Sequence, residues 1–174
     1  MIPLEIERKF LVKKTDAIAE NASQRIDIIQ TYLIKKSDDI QRRVRKITTD
    51  GSTAYTYTEK RFISASVREE NERVISMEEY DLLISEADDT LSPVEKSRFI
   101  IPYRSQRFEA DVYPFSERYA TLELELNDEG QEIILPTYIE VIKEVTGDHS
   151  YSNAVLAKNR AFPDEEQDSG TDAH

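Results

Sequence analysis

The chain has 174 residues, 33% of them charged and 39% hydrophobic, a net charge of −12 and no cysteine. That length supports one domain with its own core; no apolar run approaches the roughly 18 residues of a membrane span, and without thiols there is neither a disulfide framework nor a thiolate metal site. The acidic balance argues against sequence-independent nucleic-acid binding, which needs a basic footprint, yet it does not exclude an anionic ligand, because bound divalent cations reverse local charge.

Residues 4–13 read as a strand and 15–23 as a short helix capped by Thr15 or Asp16. Strands are expected at 26–35 and 40–48. Asp50-Gly51 marks a tight turn into a strand at 53–62, and another strand covers 66–75. "SMEE" at 76–79 has the form of a capping box, and the helix behind it should bury Tyr80, Leu83, Ile84 and Ala87. Strands at 94–103, 106–113, 119–127 and 138–146 follow, and "YSNAVLAKNR" reads as a last short helix. The body, residues 1–162, is one domain. Residues 163–174, "PDEEQDSGTDAH", hold five acids and no Lys or Arg, and read as a disordered tail. Acids within the first seven residues do not fit a signal peptide, so the expected location is the cytoplasm. Strands without βαβ alternation predict a mainly β fold with an antiparallel sheet.

One pattern recurs. "LEIERKFLV" opens the chain with Glu5, Glu7 and Lys9 two apart, and residues two apart on a strand share a face. Arg43 and Arg45 repeat the spacing, as do Thr58 and Lys60, Glu70 and Glu72, Lys96 and Arg98, Glu109 and Asp111, and Glu123 and Glu125 within "LELEL". A single such pair is the ordinary wet side of a strand. The set is harder to explain so, because strand after strand carries paired ionisable groups, mostly of one sign, and like charges repel unless neutralised. A closed barrel with its charged face inward satisfies all the rows, and a lumen holding both signs suits a metal-bound polyanion.

In order along the chain, "EIERK", "QTYL", "RRVR", "TEK", "EENE", "EKSR", "FEADVY" and "LELEL" resemble the CYTH domain of the triphosphate tunnel metalloenzymes, and "VTGDHSYSNAVLA" is similar to that family's closing segment. The likeness runs over about residues 1–160 and is greatest to the short bacterial inorganic triphosphatases. It implies an eight-stranded antiparallel closed barrel, a tunnel flanked by a few helices, and metal-dependent cleavage of a phosphoanhydride bond, with inorganic tripolyphosphate as the substrate. By the same resemblance Glu5, Glu7, Asp111, Glu123 and Glu125 are the expected ligands of Mg²⁺ or Mn²⁺. Lys9, Arg43, Arg45, Lys60, Lys96 and Arg98 are expected on the phosphates, with Lys96, Arg98, Glu5 and Glu7 at the reacting end. Tyr32, Glu70, Glu72 and Glu109 are expected as wall residues, orienting groups or counterions. The family's basic residue near the Tyr-x-Asn block is missing here, where the chain reads "HSYSN" with His149. Two other functions share these features: a class IV-type adenylyl cyclase acting on ATP, and a non-catalytic polyphosphate- or nucleotide-binding module. The expected partner is a small anionic substrate, tripolyphosphate or ATP, with no nucleic acid and no membrane, and the expected assembly is a homodimer.

Overall fold

A computed structural model describes residues 4–165. Its strands are β1 (Leu4–Lys13), β2 (Gln24–Tyr32), β3 (Ile40–Thr49), β4 (Ser52–Phe62), β5 (Val67–Ile75), β6 (Val94–Tyr103), β7 (Gln106–Val112), β8 (Tyr119–Glu125) and β9 (Val141–Glu144). Its helices are α1 (Asp16–Glu20), α2 (Met77–Ile84) and α3 (Asn153–Asn159). All pairings are antiparallel, in the order β5-β4-β3-β2-β6-β7-β8-β1, and β5 then pairs back to β1. Eight strands therefore close into a barrel, and β9 adds to β1 from outside it.

Local chemistry accounts for the hairpins. Asp50 and Gly51 both have positive φ, +50° and +80°, as the primed two-residue turn between β3 and β4 requires. Arg104 and Ser105, at +48° and +62°, turn β6 into β7 with the same handedness and without glycine. The expected strand at 138–146 shortens to four residues. The stretch before it gives its side chains to the core, with Ile133, Leu135, Tyr138 and Ile139 packed on the outer wall of the barrel.

The outward faces of β1, β7 and β8 are apolar. Phe10, Val12, Phe108, Ala110, Ala120, Leu122 and Leu124 form one cluster covered by Ile18 of α1 and by the 133–141 stretch. Full burial of each large side chain here contributes about 1.5–3 kcal/mol. On the opposite wall, α2 lies on Leu33, Val44, Tyr57 and Ile75. Ser76 caps it by accepting a hydrogen bond from Glu79 N at 3.1 Å. The other half of the capping box is absent, because the Glu79 carboxylate pairs with Arg73 at 2.7 Å. Tyr80, Leu83, Ile84 and Ala87 are half-buried rather than buried, since α2 covers the sheet from one side only.

One end of the barrel is plugged. Leu11, Tyr32, Val94 and Tyr113 pack with Tyr151, Leu156, Ala157 and Phe162 of the C-terminal segment. Asp164 pairs with Lys143 at 3.3 Å and accepts a hydrogen bond from Tyr151. Residues 166–174 of the expected tail lie outside the described residues. Among the described residues no helix is long and apolar enough to cross a membrane.

Candidate functional site

Directly opposed residues of antiparallel strands share a face, so the register shows which charges meet. Glu125 faces Glu7 across β8 and β1, and Glu123 faces Lys9. Glu109 faces Glu123 and Arg98 faces Asp111. Lys60 faces Glu70 across β4 and β5, and Glu5 faces Arg68 across β1 and β5. Each row thus turns inward on the barrel.

These rows line one cavity of about 470 Å³. Its acids are Glu5, Glu7, Glu70, Glu72, Glu109, Glu123 and Glu125, and its bases are Lys9, Arg43, Arg45, Lys60, Arg68 and Arg98, with Tyr32 in the wall. Seven formal negative charges against six positive ones leave the lining close to balance, so added cations would strengthen its hold on a polyanion.

The bases are held by their neighbours. Lys9 donates to the Tyr151 carbonyl at 2.7 Å and lies 3.5 Å from Glu123. Lys60 lies 3.6 Å from both Glu5 and Glu70, and Arg43 lies 3.5 Å from Glu70. Arg98 meets Glu109 at 2.9 Å. Arg45 donates to Gln30 at 2.6 Å, and the Gln30 amide donates to the Tyr32 hydroxyl at 2.6 Å. Glu72 accepts from Thr58 at 3.1 Å.

Two expected site residues stand apart. Lys96 and Asp111 do not line the cavity but lie buried beside it, toward the plugged end, with Lys96 Nζ 2.9 Å from Asp111 Oδ2. Arg98 takes both Asp111 oxygens, Nε to Oδ1 at 2.8 Å and Nη2 to Oδ2 at 3.0 Å. Asp111, expected with the metal carboxylates, is here the counterion of two cations, and Lys96, expected on phosphate, faces that same carboxylate. Parity places both side chains inward, but each lies one inward-facing position further along its own strand, Lys96 beyond Arg98 and Asp111 beyond Glu109, where the lumen is filled.

Burial and repulsion shift several groups. Burial lowers the Lys60 pKa to about 7, helped by Arg43 and opposed by Glu5 and Glu7. Burial lowers Arg45 to about 9, with Arg43 and Arg98 adding to the effect. Glu125 is raised by burial and by the neighbouring Glu109 and Glu7 carboxylates. Tyr32 is raised by burial, against Arg43 and Arg45, and so stays a neutral phenol.

No three acidic or histidine side chains among the described residues form a ready cation cage. The donors nevertheless fit a hard divalent ion, which takes carboxylate oxygens. Glu5 Oε2 is buried without a hydrogen-bond partner, and Glu125 faces Glu7 as a like-charged pair. Glu5, Glu7, Glu123 and Glu125 are the residues that could hold such an ion.

The sequence rows missed four polar lining residues. Arg68 belongs to the same period-two row as Glu70 and Glu72 but has the opposite sign, and Gln41 likewise begins the row of Arg43 and Arg45. Both were findable by running each row one step further. Ser152 and Asn153 reach the cavity from a segment with no strand parity. His149 lies beside it, edge-on to Phe62 at 6.4 Å between ring centroids.

No protein-family model matches the chain, and no curated protein matches it. Solved structures do. The inorganic triphosphatase NE1496 superposes with a TM-score of 0.57 at 29% identity, covering 91% of this chain and 96% of that one. The Pyrococcus horikoshii protein PH1819 gives 0.55 at 17% identity over 71% of this chain and 80% of its own. The Hippeastrum adenylyl cyclase-like protein HpAC1, described as having a dominant triphosphatase activity, gives 0.51 at 15% over the same shares. The last two show the fold alone. Together with the closed barrel and its ionic lumen, these likenesses show that the chain has the triphosphate-tunnel fold of the CYTH family and resembles its short bacterial triphosphatases.

Proposed function

We propose that the protein hydrolyses a phosphoanhydride bond of triphosphates, inorganic tripolyphosphate first among them, with Mg²⁺ or Mn²⁺. The observation that carries this reading is the single cavity in which seven carboxylates and six cations interleave. A pure polyanion binder needs the bases but not so many acids. The likeness to an inorganic triphosphatase over nearly the whole length of both chains supports the choice of substrate.

Water attacks the terminal phosphorus, the bridging P–O bond breaks, and orthophosphate and pyrophosphate leave. Such a reaction needs mainly positioning and charge neutralisation. Arg43, Arg45, Lys60, Lys9 and Arg98 bind phosphate oxygens, the arginines with two-pronged contacts. Glu5, Glu7, Glu123 and Glu125 would hold the divalent ion, which neutralises phosphate charge and lowers the pKa of bound water. Asp111 acts through Arg98, holding its guanidinium at Nε and Nη2, and Lys96 pairs with that same carboxylate. Glu70 balances Arg43 and Lys60, and Glu72 balances Arg45, until substrate arrives.

A phosphate-release panel of tripolyphosphate, ATP, thiamine triphosphate and pyrophosphate, each with Mg²⁺ and with Mn²⁺, tests the reading. Turnover of tripolyphosphate that needs a divalent ion is expected. Tight binding of tripolyphosphate with no release under any metal would leave a binding module instead.

A further inference from the structure

A second cavity, of about 350 Å³, adjoins the first. It lies where β1 changes neighbours. β5 pairs with β1 only as far as Ile6, with a last hydrogen bond from Glu7 N to Ser66 O at 3.1 Å. β9 takes over from Phe10, and Lys9 N donates to Thr146 Oγ1 at 2.9 Å. The walls come from the loop after β4 and from residues 145–149. Gly147, at φ +73°, lets these two loops touch: a Cβ there would stand 2.6 Å from Ala65 Cβ.

Glu7, Lys9, Phe62, Arg68 and Ser152 line both cavities. Two of them are cations. The Lys9 ammonium donates to the Tyr151 carbonyl and lies beside Glu123, toward the first cavity's acids. Arg68 is placed differently. Its guanidinium lies over the Phe62 ring, 5.2 Å from the centroid, and pairs with Glu7. Its Nε is buried with no hydrogen-bond partner. The facing stretch "VTGDHSYSNAVLA", residues 145–157, carries no Lys or Arg.

Arg68 Nη1 takes Glu7 Oε1, and a divalent ion bound through that oxygen would displace the guanidinium. A guanidinium displaced from its carboxylate inside a cavity needs another anion, since an unpaired buried charge is strongly disfavoured. A phosphate chain at the junction of the two cavities supplies one. We propose that Arg68 is a phosphate-binding and positioning residue that neutralises Glu7 in the empty site and turns onto the substrate when a divalent ion takes Glu7. The proposal rests on the triphosphate reading above. It makes cation and polyanion binding mutually supportive through one side chain.

The test is the Mn²⁺ affinity of the parent, R68A and R68K without polyanion, by calorimetry, alongside kcat and KM for tripolyphosphate. R68A loses the contact that competes for Glu7, so it should bind Mn²⁺ at least about tenfold tighter. It should also lose a charge-assisted phosphate contact, raising KM roughly 10- to 150-fold, with a smaller change in kcat. R68K should fall between R68A and the parent in both. If R68A does not fold, R68Q takes its place in both assays. A Mn²⁺ affinity within twofold of the parent, or an unchanged KM, overturns the proposal. A parent without triphosphate turnover would sink the proposed function instead, while the Mn²⁺ affinities would still decide the Arg68–Glu7 competition.

Discussion

Lys96 Nζ lies 2.9 Å from Asp111 Oδ2, and both side chains are buried. Burial alone would raise the Asp111 pKa, but Arg98 and Lys96 outweigh it and hold the carboxylate well below its usual range. The triad is thus a structural floor on which Arg98 stands. D111N leaves the buried Lys96 without its anion and Arg98 with Glu109 alone, and should cost about 3–5 kcal/mol of stability, the range for breaking a buried pair. The sign with pH follows from the depressed pKa. The Asp111 contribution is complete above the unfolded carboxylate pKa of about 3.9 and fades as pH falls below it. Denaturant melts of parent and D111N at pH 7 and in acid check this. A difference under about 1 kcal/mol at pH 7 would reject the buried-pair account.

Glu125 tests the metal assignment from the other direction. Its pKa is raised by partial desolvation at the cavity wall and by Glu109 and Glu7, so in metal-free protein these carboxylates oppose its charge. E125Q removes that repulsion and should melt no lower than the parent without metal. It also removes a ligand oxygen and should abolish most Mg²⁺-dependent turnover. Parent-like turnover in E125Q would show that this carboxylate holds no ion.

Strand parity made much of the lumen readable in advance. The spacing of Glu5 and Glu7, Arg43 and Arg45, or Glu123 and Glu125 becomes a shared face once the strand is granted, and closure of the barrel turns that face inward. Depth is a different quantity. Lys96 has the parity of Arg98, but Val94 on the same strand packs into the plug, so Lys96 meets Asp111 rather than the cavity. Nothing in the spacing distinguishes the two levels. Gln30 escaped notice because it is uncharged, although it ties Arg45 to Tyr32. The shortened β9 and the second cavity beside it depend on where β5 parts from β1, which local sequence does not encode.

Lys60 carries a pH signature. Burial, with Arg43, lowers its pKa to about 7, against about 10.4 in an unfolded chain. Between those values the unfolded chain binds more protons than the folded one, so stability rises with pH across that window. K60Q has no such group and should lose that part of the rise. Thermal melts of parent and K60Q at pH 7 and pH 9, without metal, give the comparison. The parent should gain more than K60Q on going to pH 9. Equal gains would mean that Lys60 keeps an ordinary pKa in the fold.

Substrate length should be read by the arginines. Arg43 lines the cavity, lies 3.5 Å from Glu70 and has a buried Nε without a hydrogen-bond partner, so its fork is available to phosphate. Arg45 already donates to Gln30, which ties it to Tyr32. R43A should therefore weaken kcat/KM for tripolyphosphate by roughly 10- to 150-fold, the worth of one charge-assisted contact, with little change in melting temperature. R45A should lose turnover and stability together, because it also breaks the tie to Tyr32. A chain of three phosphates spans more of these cations than pyrophosphate does, so the parent should prefer tripolyphosphate. ATP must also place its ribose and base at the cavity mouth, so slower hydrolysis and no cyclic AMP are expected. Steady-state kinetics of the parent and both variants on all three compounds make the comparison. Equal efficiency on pyrophosphate would break the link between chain length and the cation row, and cyclic AMP as the main product from ATP would replace the hydrolase with a cyclase.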